Sequence, residues 1–122
     1  MDEQKKTIVL GASTNPERYS YLAVSRLHEH GIPVVPIGKK QGVIAGENII
    51  VGEPIINDVH TVSLYLNPTN QKLYYDYIFS LHPKRIIFNP GAENPELAAL
   101  AKGKGIQTEE ACTLVMLSIG NF

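Results

Sequence analysis

The sequence predicts an α/β fold, a mostly parallel sheet of about five strands with helices on both faces. Three observations carry this. Short runs rich in β-branched residues recur along the chain and alternate with stretches of helical periodicity. Most of these runs stop at a Gly or an Asn, followed by polar loop residues. Two Asn-Pro pairs, Asn67-Pro68 and Asn94-Pro95, each open a helical stretch.

Taken in order, residues 7–10 read as a strand buried on both faces and ended by Gly11. A polar loop follows, and residues 21–30 read as a helix. Tyr19, Ala23 and Leu27 share one stripe at four-residue spacing, with Leu22 beside it. Gly31 suits the position just past the last turn. Residues 33–37 are a second strand, stopped at Gly38. Residues 38–54 hold Gly38, Gly42, Gly46 and Gly52 between short apolar pairs, which predicts a loop with a short strand near 48–51. Residues 59–66 are the next strand. The helix opened by Asn67-Pro68 has Leu73, Tyr77 and Leu81 as its expected buried stripe. Residues 85–88 are another strand. The helix opened by Asn94-Pro95 is expected to bury Leu97, Leu100 and Ala101, and Gly103 and Gly105 end it. Residues 106–108 form a last short strand, and 111–119 close the chain as an apolar helix.

The 122 residues fit one domain spanning 1–122, and 43% hydrophobic content supplies a core without metals or disulfides. A net charge of -1 gives no support to a nucleic-acid or membrane surface. The single cysteine, Cys112, excludes an intramolecular disulfide. The N-terminus, residues 1–6, is polar and charged and runs directly into the first strand, and no apolar stretch is long enough to span a bilayer. These features predict a cytoplasmic protein.

Right-handed crossovers place the C-terminal end of every parallel strand on one edge, and ligands bind there. The loops at that edge begin at Gly11, Gly38, Asn67, Asn89 and Glu109. The first, Gly11-Ala12-Ser13-Thr14-Asn15-Pro16-Glu17-Arg18, joins a strand to a helix start. That arrangement gathers unpaired N–H groups for a phosphate. Gly11 permits the turn, Ser13, Thr14 and Asn15 add short polar side chains, and Arg18 adds a forked cation. The dipole contributes only about 0.3–1 kcal/mol, against roughly 1.5–3 kcal/mol for each hydrogen bond to a charged group. Donors, not the dipole, therefore dominate. Ser13 and Pro16 stand where the dinucleotide fingerprint has its second and third glycines. A plain helix-capping turn with Arg18 in solvent is the competing reading.

The end of the second strand discriminates between cofactors. An NAD site usually has an acid there for the ribose hydroxyls. This chain has Gly38-Lys39-Lys40 and no acid until Glu47. A basic end fits a phosphorylated ribose, as in CoA or NADP, with a solvated lysine pair as the alternative.

The segment Ile8-Val9-Leu10-Gly11-Ala12-Ser13-x-Asn15-Pro16-x-Arg18-x-Ser20 resembles the opening of the small stand-alone CoA-binding proteins, which are related to the CoA-binding domain of succinyl-CoA synthetase α subunits. Pro90-Gly91-Ala92-Glu93, the Ala-rich helix after it, Gly105-Ile106 and Glu110-Ala111-Cys112 follow in the family's order. The resemblance implies a Rossmann-like three-layer fold that binds CoA or an acyl-CoA, with no assigned reaction. By position it implies that Gly11, Ala12, Ser13, Asn15, Arg18 and Ser20 hold the diphosphate. Ile37, Gly38 and Lys39 would border the adenosine and its 3′-phosphate. Asn67 and Pro68, then Asn89, Pro90 and Gly91, would line the rest of the cleft. The chain departs from the family at Gly38-Lys39, at Ile87-Phe88-Asn89-Pro90-Gly91 and at Ala111, which affects the pantetheine end most.

No catalytic constellation emerges. His28 and His30 sit at i, i+2 and do not face each other, and no histidine spacing suggests a metal site. His60 falls at a strand start, on the edge away from Ser13, and no nucleophile elbow is present. Cys112, after Glu109-Glu110 at a helix start, reads best as a small buried helix residue; the alternative places it near the thiol of bound CoA. Among Tyr74, Tyr75 and Tyr77 only Tyr77 lies on the apolar stripe. The other two are an amphipathic surface or a homodimer face. The competing functions are a minimal NADP-binding redox domain and a regulatory protein on a degenerate nucleotide fold.

Overall fold

The structure, a computed structural model, describes residues 4–122; residues 1–3 of the polar opening lie outside the described residues. The elements are β1 (Thr7–Ala12), α1 (Tyr19–Glu29), β2 (Val34–Gly38), β3 (Gly42–Ile44), β4 (Glu47–Ile49), β5 (Thr61–Leu64), α2 (Pro68–Gln71), a 3₁₀ turn at Lys72–Tyr74, α3 (Tyr75–Ser80), β6 (Arg85–Phe88), α4 (Pro95–Gly103), β7 (Gln107–Glu110) and α5 (Thr113–Ser118). A five-stranded sheet has the order β2-β1-β5-β6-β7, and β3 and β4 form a separate hairpin. All pairs in the main sheet are parallel. This is the parallel α/β architecture that the alternating runs predict, and it is Rossmann-like, as the resemblance implies.

Alternation along β1 divides the core. Ile8 and Leu10 face one layer, where they meet Ile78 of α3 and Leu97 and Ala101 of α4. Val9 faces the other, with Val24 and Leu27 of α1, Ile44 and Ile49 of the hairpin and Leu117 of α5. Both Asn-Pro starts form as the sequence predicts. The Asn67 side chain accepts from the Asn70 N–H at 2.9 Å and the Asn94 side chain from the Leu97 N–H at 3.1 Å, with Pro in the first turn of each helix. Such caps stabilise a helix by about 1 kcal/mol each. No helix among the described residues is long and apolar enough to cross a membrane.

Several expectations are corrected. Gly11 does not end β1: the strand shifts register between Leu10 and Ala12 and pairs on to Gly38, so Gly11 sits at a bulge. Helix α1 starts two residues early and buries Ser20, Ala23, Val24 and Leu27, while Tyr19 is 70% exposed. The helix points its first residue off the sheet edge, where no layer covers it. The helix after Asn67 is broken. Its 3₁₀ turn winds at three residues per turn, so Leu73 leaves the expected stripe and is 78% exposed while Tyr77 and Leu81 stay buried. Leu100 is 44% exposed because α4 turns Leu97 and Ala101 to the sheet. Residues 38–54 hold a full hairpin, its turn made by Ala45 and Gly46 with φ of 50° and 84°. That pair is the left-handed geometry of a two-residue hairpin turn. The strand of residues 59–66 shortens to Thr61–Leu64, the last strand shifts to Gln107–Glu110, and the last helix shortens to Thr113–Ser118.

Candidate functional site

The C-terminal ends of β1, β2 and β5 open onto a cleft of about 720 Å³. The chain leaves β1 for β2 on one side and returns to β5 on the other, so the cleft sits at the topological switch point. Gly11 makes this possible. Its φ is +101°, and an added Cβ would lie 3.2 Å from Leu66 Cδ2 and from the Tyr65 carbonyl carbon. A larger residue would be strained and would push against the chain leaving β5.

The first loop organises itself. Ser13 Oγ accepts from the Asn15 N–H at 3.1 Å, Asn15 Oδ1 from the Glu17 N–H at 3.0 Å, and the Asn15 carbonyl from the Arg18 N–H at 3.0 Å. These bonds hold the loop in shape, one of them through the Asn15 Oδ1. The N-cap of α1 is Arg18, whose side chain makes no capping bond. The first turn of α1 therefore faces the cleft without a side-chain cap, beside an exposed guanidinium. An anion is favoured at such a position.

On the same cleft, Gly38 ends β2 and Lys39 and Lys40 follow it. A Cβ on Gly38 would collide with the Ala12 carbonyl oxygen, so this residue lets the two strand ends close together. The Gly38 N–H is donated to the Ile50 carbonyl at 3.1 Å and is not a ligand donor. Lys39 and Lys40 are exposed at the cleft. Three cationic side chains, Arg18, Lys39 and Lys40, and one carboxylate, Glu17, line it, giving a cationic mouth.

Of the residues expected from the sequence, the fold brings together Gly11, Ala12, Ser13, Arg18, Ser20, Ile37, Gly38, Lys39 and Pro90 on the cleft wall. Asn15, Asn67, Pro68, Asn89 and Gly91 are not on that wall. Asn67 caps α2. Asn89 is 1% exposed, donates to Ser63 Oγ at 2.8 Å and to the Leu64 carbonyl at 2.9 Å, and accepts from the Thr113 N–H at 2.8 Å. It ties β5, β6 and α5 together beneath the cleft.

Thr14, which the sequence offered as a polar loop side chain, also lines the cleft, whereas sequence reasoning missed Glu17, Tyr19, Tyr65, Leu66 and Tyr74 as lining residues. Tyr65 and Leu66 had a usable signal, since they directly follow a strand at the ligand edge. The Tyr65 hydroxyl is buried among Ser63, Cys112 and Thr113 and makes no well-formed hydrogen bond. Burial pushes this phenol well above its ordinary range, so it stays neutral. Cys112 is half-buried at the N-cap of α5 and is not among the cleft residues. The cleft wall holds no histidine. His60 and His82 line a different cavity, of about 790 Å³, at the opposite edge of the sheet. Among the described residues no cluster of His, Cys, Asp or Glu is arranged to hold a metal.

Solved structures share this fold. A crystallised uncharacterized protein is 50% identical, with a TM-score of 0.95, covering 99% of this chain and 100% of the other. A Thermus thermophilus protein at 21% identity has a TM-score of 0.84, covering 98% and 91%. A hypothetical protein from Pyrococcus horikoshii OT3 at 24% identity also has a TM-score of 0.84, covering 95% and 83%. A search of the curated proteins gives no match. The model of a CoA-binding domain family matches residues 5–118, and with the cleft at the switch point of a parallel sheet, the chain belongs to that CoA-binding domain family.

Proposed function

We propose that the protein binds CoA, free or acylated, in the cleft between the first loop and the end of β2, and carries out no reaction of its own. The observation that supports this best is the meeting of two independent features across one cleft: an α1 start without a side-chain cap beside Arg18, and the Lys39-Lys40 pair. A diphosphate suits the first and a ribose phosphate the second. Tyr65, Leu66, Tyr74 and Pro90 supply an apolar continuation suited to pantetheine. A cytoplasmic setting accords with this ligand.

Calorimetric titration with CoA, dephospho-CoA and ADP tests the reading. CoA is expected to bind most tightly. Lys39→Ala is expected to weaken CoA by roughly fivefold and leave dephospho-CoA unchanged, below the full strength of a charged hydrogen bond because the side chain is exposed. Equal affinities for CoA and dephospho-CoA would remove the 3′-phosphate assignment. Tight NADPH binding with none of CoA would transfer the site to NADP.

A further inference from the structure

The two lysines hang from a very short span. Only Lys39, Lys40 and Gln41 connect the end of β2 to the start of β3, and both ends of that span are fixed against the first loop. At one end Gly38 is wedged beside the Ala12 carbonyl and donates its N–H to Ile50. At the other end Gly42 lies against Thr14, so close that an added Cβ would collide with Thr14 Cγ2. The hairpin behind this span is seated by Ile44 and Ile49, both buried in the layer that contains Ala12 of β1. Its outer side is fastened to α1 by His28 Nδ1 and Glu47 Oε2 at 2.8 Å.

We infer that the β3–β4 hairpin sets the position of Lys39 and Lys40 over the first loop, with Gly42 and Glu47 as its positioning residues. This rests on the ligand reading given above. Exposed lysines lose much rotamer freedom when ordered on an anion. Anchoring their backbone at both ends confines the ammonium groups to the loop side of the cleft, which fits a ligand carrying a second phosphate near its diphosphate. At Gly42 the nearest loop atom is the Thr14 methyl, so this contact can be altered and restored by small changes.

The measured quantity is the ratio of CoA to dephospho-CoA affinity, which a general loss of stability does not change selectively. Gly42 is outside the left-handed region, so Ala is compatible with its backbone and tests only the contact. Gly42→Ala is expected to lower the ratio by about threefold, a typical coupling between neighbours. Adding Thr14→Ser, which removes the struck methyl and keeps the hydroxyl, is expected to restore it. Glu47→Ala, at a partly exposed pair, is expected to lower the ratio by about twofold with the fold intact by circular dichroism. A ratio unchanged in Gly42→Ala, or not restored by Thr14→Ser, overturns the inference. If Gly42→Ala does not fold, an unchanged ratio in Glu47→Ala overturns it. A wild-type chain that binds no CoA removes the ligand reading itself, and the inference with it. A wild-type preference for the 3′-phosphate that the variants leave intact removes the inference alone.

Discussion

Glu17 is the one carboxylate on the cleft wall, among Arg18, Lys39 and Lys40. It is exposed, so its repulsion of a bound diphosphate is screened rather than removed. Glu17→Gln is expected to tighten CoA binding by about two- to fivefold at low salt, with the gain shrinking as salt rises. Titration at two ionic strengths checks this, and unchanged affinity at low salt would place the phosphates away from the first loop. At this scale the placing of Gly11, Ser13 and Arg18 at the ligand edge was legible in the sequence, because a glycine and small polar residues after a buried strand mark the loop at its C-terminal end. The loop-shaping bond to the Asn15 Oδ1 and the buried role of Asn89 were not legible. Which hydrogen bonds an amide side chain makes depends on neighbours, and the partners of Asn89 are 24 to 26 positions away.

Among the elements, the link between α3 and residues 53–58 carries a pH signature. The Tyr77 hydroxyl donates to the Pro54 carbonyl at 2.6 Å. Desolvation first, and the nearby Glu53 charge second, push this phenol up to about 12. The folded state thus holds a proton that the unfolded chain releases near its ordinary value of 10.0. The stabilisation is complete below that value and is lost as pH rises through the folded one. Tyr77→Phe is expected to flatten the fall in stability between those two values and to cost about 1 kcal/mol at neutral pH. Urea unfolding across the alkaline range measures both, and an unchanged alkaline slope would show that another group governs it. The break between α2 and α3 was not legible, because Leu73, Tyr77 and Leu81 have helical spacing. The hairpin was not legible either, because its turn uses Ala45 where Asn or Asp is the usual signal.

For the whole molecule, the order β2-β1-β5-β6-β7 makes the cleft part of the folded sheet rather than of any one loop. A ligand bound there bridges the ends of β1 and β2 and the start of α1, and so stabilises only the native state. CoA at about one hundred times its dissociation constant is expected to add about 2.7 kcal/mol and raise Tm by roughly 10 °C. Differential scanning fluorimetry reads this, with ADP giving a smaller shift at equal concentration; no shift with either would leave the cleft without its ligand. By itself the sequence determined the alternation of strand and helix, the parallel sheet, both Asn-capped helices and a polar loop from the first strand to the first helix. Each of these follows from local propensity, short-range periodicity or a cap within four residues. Tertiary structure alone decided that Lys39 and Lys40 share one cleft with Arg18, that Gly38 must admit the Ala12 carbonyl, and that the hairpin bears on Thr14. Those relations join segments far apart in the chain, and only the packing of two layers onto one sheet fixes which of their atoms meet.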